Sequence, residues 1–118
     1  EGPLAGMGGK VINGEFELNG QSFICLDGGP LFKFSEAISM SIDCEDQAEV
    51  DYFWEKLTSD GGQESQCGWC KDRFGVSWQV VPRRLGELLN DPDKEKARRV
   101  MDVMMEQHKI IVAELENA

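Results

Sequence analysis

Ala37-Ile38-Ser39-Met40-Ser41-Ile42-Asp43-Cys44 runs through Glu45 into Asp46-Gln47-Ala48-Glu49-Val50-Asp51-Tyr52-Phe53-Trp54-Glu55-Lys56-Leu57, and the change of period between the two stretches decides the fold. Over 37–44 the apolar residues Ile38, Met40, Ile42 and Cys44 alternate with the small or polar Ala37, Ser39, Ser41 and Asp43. That is the period of two of a strand with one greasy face and one small, polar face. Over 46–60 the period lengthens. Val50, Phe53, Trp54 and Leu57 stand at i, i+3, i+4 and i+7, which predicts an amphipathic helix. Asp46 is a good N-cap and Glu49 completes a capping-box pattern. Gly61-Gly62 stops the helix.

Downstream, residues 64–70 and 76–81 read as a hairpin joined through Asp72-Arg73-Phe74-Gly75. Val76, Trp78 and Val80 alternate with Ser77, Gln79 and Val81, so Trp78 is expected to face the helix and Ser77 and Gln79 the opposite side. Pro82 opens a short helix carrying Leu85, Leu88 and Leu89. Asp91-Pro92 is expected to cap a longer one, with proline at its first position. Its stripe is Ala97, Val100, Met101 and Met104, and Met101, Met104 and Met105 read as helix core. Residues 110–118 fit either a short strand or a last helical turn. Upstream, residues 11–18 predict a strand with Ile12, Phe16 and Leu18 on one face. Asn19-Gly20 is a two-residue hairpin signal, residues 21–27 form the returning strand, and Asp27-Gly28-Gly29-Pro30 ends it. Residues 1–10 read as loop. The order β-β, β-α-β-β, α-α is that of an α+β protein.

The 118 residues fit one domain. With 12 basic and 22 acidic residues the net charge is −10, so the surface repels a polyanion and nucleic acid is not an expected partner. No apolar run is long enough to span a bilayer. The first residues lack the basic-then-apolar pattern of a secretory signal. Four cysteines, Cys25, Cys44, Cys67 and Cys70, are too few for a disulfide scaffold and are read as reduced thiols in a cytoplasmic protein. Cys67-Gly68-Trp69-Cys70 is a C-x-x-C. Its flanks predict a hairpin rather than a helix start, and no second C-x-x-C completes a zinc ribbon, so it is read as two partly buried thiols.

Several stretches carry a resemblance: Glu15-Phe16-Glu17-Leu18-Asn19-Gly20-Gln21, Asp27-Gly28-Gly29-Pro30, Phe32-Lys33-Phe34-Ser35-Glu36-Ala37-Ile38-Ser39, and above all Cys67 through Pro82, with Asp91-Pro92-Asp93 and Arg99-Val100-Met101 in the tail. They resemble the PhnB-like branch of the vicinal-oxygen-chelate (glyoxalase/bleomycin-resistance/dioxygenase) superfamily, whose members are often labelled ubiquinone-related methyltransferases. The resemblance implies paired βαβββ modules whose sheets curve around a cavity. Here the modules are expected to be incomplete: 11–30 as a remnant hairpin of the first, 36–82 as the second, and 83–118 as a helical tail. The first strand-helix-strand unit, about 30–40 residues at usual element lengths, is lacking. The orphan hairpin would then expose apolar surface, and a homodimer is expected to cover it.

The superfamily's enzymes hold a divalent metal with His, Glu or Gln. Alignment with them puts Ala37 and Gln79 at two ligand positions, and the ligand of the first strand is missing with that strand. The one histidine, His108, lies near the end of the tail helix, far in pattern from the sheet. No metal and no cofactor is therefore expected, and no glycine-rich strand-to-helix loop suggests a methyltransferase cofactor. The expected pocket combines apolar and polar groups: Phe34, Ser39, Ser41, Trp69, Ser77 and Gln79. Glu36 and Asp72 are the nearest acids, and Asp72 is more simply a turn residue. The reading favoured is small-molecule binding in a sheet-lined cavity without a complete metal site. Two alternatives stand beside it: a metal-dependent lyase, isomerase or dioxygenase whose ligands a partner chain completes, and an inert truncated fragment.

Overall fold

The computed structural model describes residues 13–118. The expected loop 1–10 and the first two residues of the expected strand 11–18 lie outside the described residues. The chain divides into two compact units, one ending at Lys33 and one comprising Phe34–Ala118.

The first unit is a hairpin. β1 (Asn13–Leu18) pairs antiparallel with β2 (Gln21–Leu26), with Phe16 opposite Phe23 and Glu15 opposite Ile24. Asn19 and Gly20 have φ of 49° and 82°, both positive, as the tight turn between right-twisted strands requires. The rings of Phe16 and Phe23 stack at 5.4 Å between centroids. Phe16 and Leu18 share one face, as the alternation of this strand predicts, with Phe23 beside them, while Ile24 and Leu26 lie on the other face, so the hairpin is apolar on both sides; Phe16, Leu18, Ile24 and Leu26 are all exposed.

The second unit begins with the period change. β3 (Met40–Cys44) leads through Asp46 into α1 (Gln47–Thr58), followed by β4 (Gln63–Glu64), β5 (Trp69–Lys71) and β6 (Ser77–Pro82). The sheet order is β3-β6-β5-β4. β3 runs parallel to β6, and the other pairs are antiparallel. This is one βαβββ module. α1 starts as expected: the Asp46 side chain accepts the Glu49 N–H at 3.0 Å. The Glu49 carboxylate reaches back to the Glu45 N–H at 3.4 Å, one residue beyond the usual capping-box partner. β3 is shorter than the alternation suggested. It begins at Met40, and Ile38, expected on the greasy face, is 75% exposed. The first arm of the predicted hairpin likewise breaks into β4 and β5, separated by a turn at residues 65–68.

Residues opposite each other across the pairs share a face. Ile42 with Val80, Cys44 with Pro82, and Cys70 with Trp78 therefore point to the same side. There Cys44, Cys70 and Val80 pack with Val50 and Trp54 of α1, joined by Ile42, Phe53, Leu57 and Trp78. The two indoles are satisfied. Trp54 Nε1 donates to Glu64 at 3.1 Å, and Trp78 Nε1 donates to Asp72 Oδ2 at 2.9 Å. Asp72 also accepts the Phe74 and Val76 N–H groups, so it is the turn residue expected, extended into the core.

α2 (Arg83–Leu89), α3 (Lys94–Glu106) and α4 (Val112–Glu116) follow. Their core is Leu85, Leu88, Val100, Ile110 and Leu115, and Val81 of β6 packs against it. The open question at 110–118 resolves to a helix. The cap of the long helix differs from expectation. Asp93 accepts from the Glu95 and Lys96 N–H groups, and Pro92 lies outside the helix. Asp91 instead accepts the Asp93 N–H at 2.9 Å, forming the turn that aims Asp93 at the helix start. That N–H holds the Asp91 carboxyl below its ordinary pKa. The methionine reading is corrected too. Only Met104 packs, while Met101 and Met105 are exposed, because the buried stripe centres on Val100, Val103 and Met104.

Residues 107–111, between α3 and α4, are fastened by backbone and by two glutamines. The Cys67 N–H donates to the Gln107 carbonyl at 2.7 Å and the Gly68 N–H to the His108 carbonyl at 2.8 Å. Gln47 donates to the Ile110 carbonyl at 2.9 Å and accepts the Val112 N–H at 2.8 Å. Gln107, 7% exposed, makes the same double contact with the backbone of Ile111. Gly68 is the tight point. Its φ is +84°, and a Cβ there would meet the Val80 carbonyl oxygen at 3.0 Å and Ile110 at 3.1 Å. Gly68→Ala is therefore expected to destabilise the protein by about 2 kcal/mol, through left-handed backbone strain and crowding. Urea unfolding checks this, and a change below about 0.5 kcal/mol would show that the tail does not depend on this approach.

Candidate functional site

The face of the sheet turned away from α1 carries Ser41, Gln79 and Trp69 in one cross-strand row, and Lys71 opposite Ser77 in the next. Four of the six expected pocket residues are thus gathered by pairing alone. Segment 34–39 brings the other two. Ser39 Oγ accepts from Gln79 Nε2 at 2.9 Å. The Phe34 ring lies about 4 Å from where a Cβ on Gly75 would stand. Between them Glu36 forms an ion pair with Lys71, and the ammonium's hydrogen bond holds the Glu36 carboxyl below its ordinary pKa. Gly75 and Gln79 lie two residues either side of Ser77, and Lys71 is its cross-strand partner. The segment therefore straps across the polar face over Ser77.

Ser77 is 2% exposed, and its hydroxyl has no hydrogen-bond partner among the described residues. A buried polar atom left unpaired is uncommon and destabilising. Phe34, by contrast, is 63% exposed and lines no enclosed space. Lys71 was not singled out from sequence. Its signal was nonetheless present: counting back through the turn at 72–76 from Ser77 places Lys71 opposite it.

A groove of about 350 Å³ lies elsewhere, bordered by Lys56, Leu57, Ser59, Asp60, Asp72, Arg73 and Phe74. None of the expected pocket residues lines it. His108 is closer to the sheet than its sequence position suggested. Its Nδ1 lies 3.0 Å from the Ser65 carbonyl oxygen, just past β4, which makes it a docking contact of the tail.

The divalent metal implied by the superfamily does not fit these residues. Gln79 turns its amide nitrogen to Ser39, Ala37 has no donor atom, and among the described residues no three His, Cys, Asp or Glu side chains converge as ligands would. A nucleotide-type cofactor fits no better. The strand-to-helix turns run through Glu45-Asp46 after β3 and directly from Pro82 to Arg83 after β6, and neither is a glycine-rich phosphate cradle. Among the described residues no helix is long and apolar enough to cross a membrane.

The cysteines are four free thiols. Cys67 and Cys70 are separated in role: Cys67 adopts φ +57° at the tail-docking turn with its sulfur 3.7 Å from Met105 Sδ, and Cys70 is in the α1 core. Burial, reinforced by nearby carboxylates, pushes the Cys44 and Cys70 thiols up to about 11 from 9.0. Because the folded state holds these protons more tightly than the unfolded chain, the two thiols leave stability unchanged from neutral pH up to about 9 and lower it between pH 9 and about 11. The loss is of order 2–3 kcal/mol per thiol at the upper end. Urea unfolding at pH 8 and pH 10.5 should show the fall, and it should shrink in Cys44→Ala and Cys70→Ala. An equal fall in the variants would place its cause elsewhere.

Comparison with known proteins sets this site in context. The sequence pattern of the 3-demethylubiquinone-9 3-methyltransferase family matches residues 2–81. Among solved structures, a PhnB protein from Bacillus cereus, provisionally titled a 3-demethylubiquinone-9 3-methyltransferase, superposes with a TM-score of 0.55 at 34% identity. The match covers 60% of this chain and 64% of that one, so the chain spans less than two thirds of that relative's length. No curated protein matches the chain.

Proposed function

The chain belongs to the PhnB-like, 3-demethylubiquinone-9 3-methyltransferase family of the glyoxalase-like superfamily, and from that premise we propose that it is a cytoplasmic small-molecule-binding protein without a complete metal site. The ligand sits on the polar sheet face of Ser39, Ser41, Trp69, Ser77 and Gln79. One observation carries the reading: pairing of β3, β6 and β5 brings a flat aromatic and several hydrogen-bonding side chains onto a single face. A binding site combines such an apolar surface with a few convergent polar groups. The family name refers to methyl transfer, but neither strand-to-helix turn suits the cofactor that reaction uses. A homodimer accompanies this reading, because Ile24 and Leu26 on one side of the hairpin and Phe16 and Leu18 on the other are exposed apolar surface that a second copy would cover.

Two measurements test the proposal. A thermal-shift screen of small polar-aromatic compounds is expected to raise the melting temperature of the wild type and not of Ser41→Trp. That substitution, at an exposed position, fills the face without touching the core. No shift with any compound in the wild type would sink the binding reading. Light scattering at micromolar concentration is expected to give the mass of a dimer, and a monomer would remove the partner.

A further inference from the structure

Resting on the reading of this face as a binding surface, we propose that its ligand is a small carboxylate with a flat apolar body, and that Glu36 is the built-in stand-in for it. Three observations converge. Lys71 is a cation on the polar face, and its partner Glu36 comes from the strap rather than from the sheet. Directly opposite Lys71, Ser77 holds a buried hydroxyl with no hydrogen-bond partner among the described residues, a donor that a carboxylate oxygen between the two would satisfy. Two residues from Lys71 on the same strand and face, half-buried Trp69 offers an aromatic surface for the body of such a ligand.

The strap is weakly held at its middle. The Glu36 side chain is 61% exposed and that of Lys71 36%, and an ion pair with so exposed a partner contributes little. At its two ends, the strap makes the Phe34 contact with Gly75 and the Ser39 hydrogen bond with Gln79. An incoming carboxylate exchanges with one of its own chemical kind. Lys71 keeps a carboxylate partner, Ser77 gains its missing acceptor, and Glu36 is released to water. A neutral amide of the same shape can accept hydrogen bonds there but brings no charge to replace that of Glu36 beside Lys71. The acidic surface, with net charge −10, makes Lys71 all the more needed for any anion to settle there.

The test titrates the full chain calorimetrically with phenylacetate and with phenylacetamide, its uncharged counterpart. Phenylacetate is expected to bind the wild type weakly and Glu36→Gln about tenfold more tightly, since the competitor is gone. Lys71→Gln should lose the preference for phenylacetate over phenylacetamide. Ser77→Ala should weaken phenylacetate several-fold while leaving the melting temperature unchanged or higher, because an unpaired buried hydroxyl has been removed. That last pair of readouts is one that a merely structural serine would not give. Equal binding of the two compounds, or no gain in Glu36→Gln, would overturn the carboxylate inference while leaving the binding surface standing. No binding of either compound to wild type or Glu36→Gln would overturn the inference as well. The wider compound screen then decides separately whether the face binds anything.

Discussion

The parallel pairing of β3 with β6 is the constraint from which the second unit follows. It joins strands separated by a helix and two further strands, and sets Ile42 beside Val80 and Ser41 beside Gln79. A slip of β3 by one residue would turn that strand over against a β6 that β5 holds in place. It would put Ser41 under α1 and expose Ile42. The hydrophobic packing of Val50 and Trp54 against Cys44, Cys70 and Val80 therefore specifies the register, and the polar face inherits its composition from what the core excludes. Trp78 illustrates how closely the two are tied. Its ring belongs to the core, and its N–H reaches Asp72, which also organises the turn between β5 and β6.

The C-terminal helices are attached by a different kind of contact. Apolar packing of Leu85, Leu88, Val100, Ile110 and Leu115 gives them a core of their own. What ties the intervening segment to the module is backbone hydrogen bonding at Cys67-Gly68 and the paired amide contacts of Gln47, while Gln107 braces the segment from within. Each glutamine presents a donor and an acceptor to the backbone, Gln47 to the Ile110 carbonyl and the Val112 N–H and Gln107 to both groups of Ile111. The C-x-x-C stretch thus takes on a structural meaning. Its first half turns the chain to receive the tail, Gly68 permits the close approach, and Cys70 fills the core. The buried thiols, with their raised pKa, lack the electropositive, partly exposed surroundings of a reactive cysteine.

The chain belongs to the PhnB-like family. In this chain the face is furnished with hydroxyls, an amide, an indole and a lysine rather than with metal ligands. Gln79 is occupied by Ser39 and Lys71 by Glu36. The segment bearing Ser39 and Glu36 is consequently part of the chemistry of this face, although it belongs to no regular element.

By itself the sequence determined those features that depend on local period and turn chemistry: the strand and helix on either side of Asp46, the Asn19-Gly20 turn, the Asp72 turn, and the opposition of Trp78 to Gln79. These are legible because alternation, 3.6-residue spacing and positive φ act over a few residues. Resemblance at Cys67–Pro82 supplied the family. Tertiary structure alone decided where β3 begins, since Ile38 has an apolar side chain but no core to enter. It decided which methionines of α3 are buried, because that depends on where α2 and α4 lie. It also decided that Glu36 meets Lys71 across 35 residues of chain, and that Ser77 is buried with no hydrogen-bond partner among the described residues. Such contacts carry no local signature: they arise only when strands remote in sequence are brought side by side and a loop with no period of its own is laid across them.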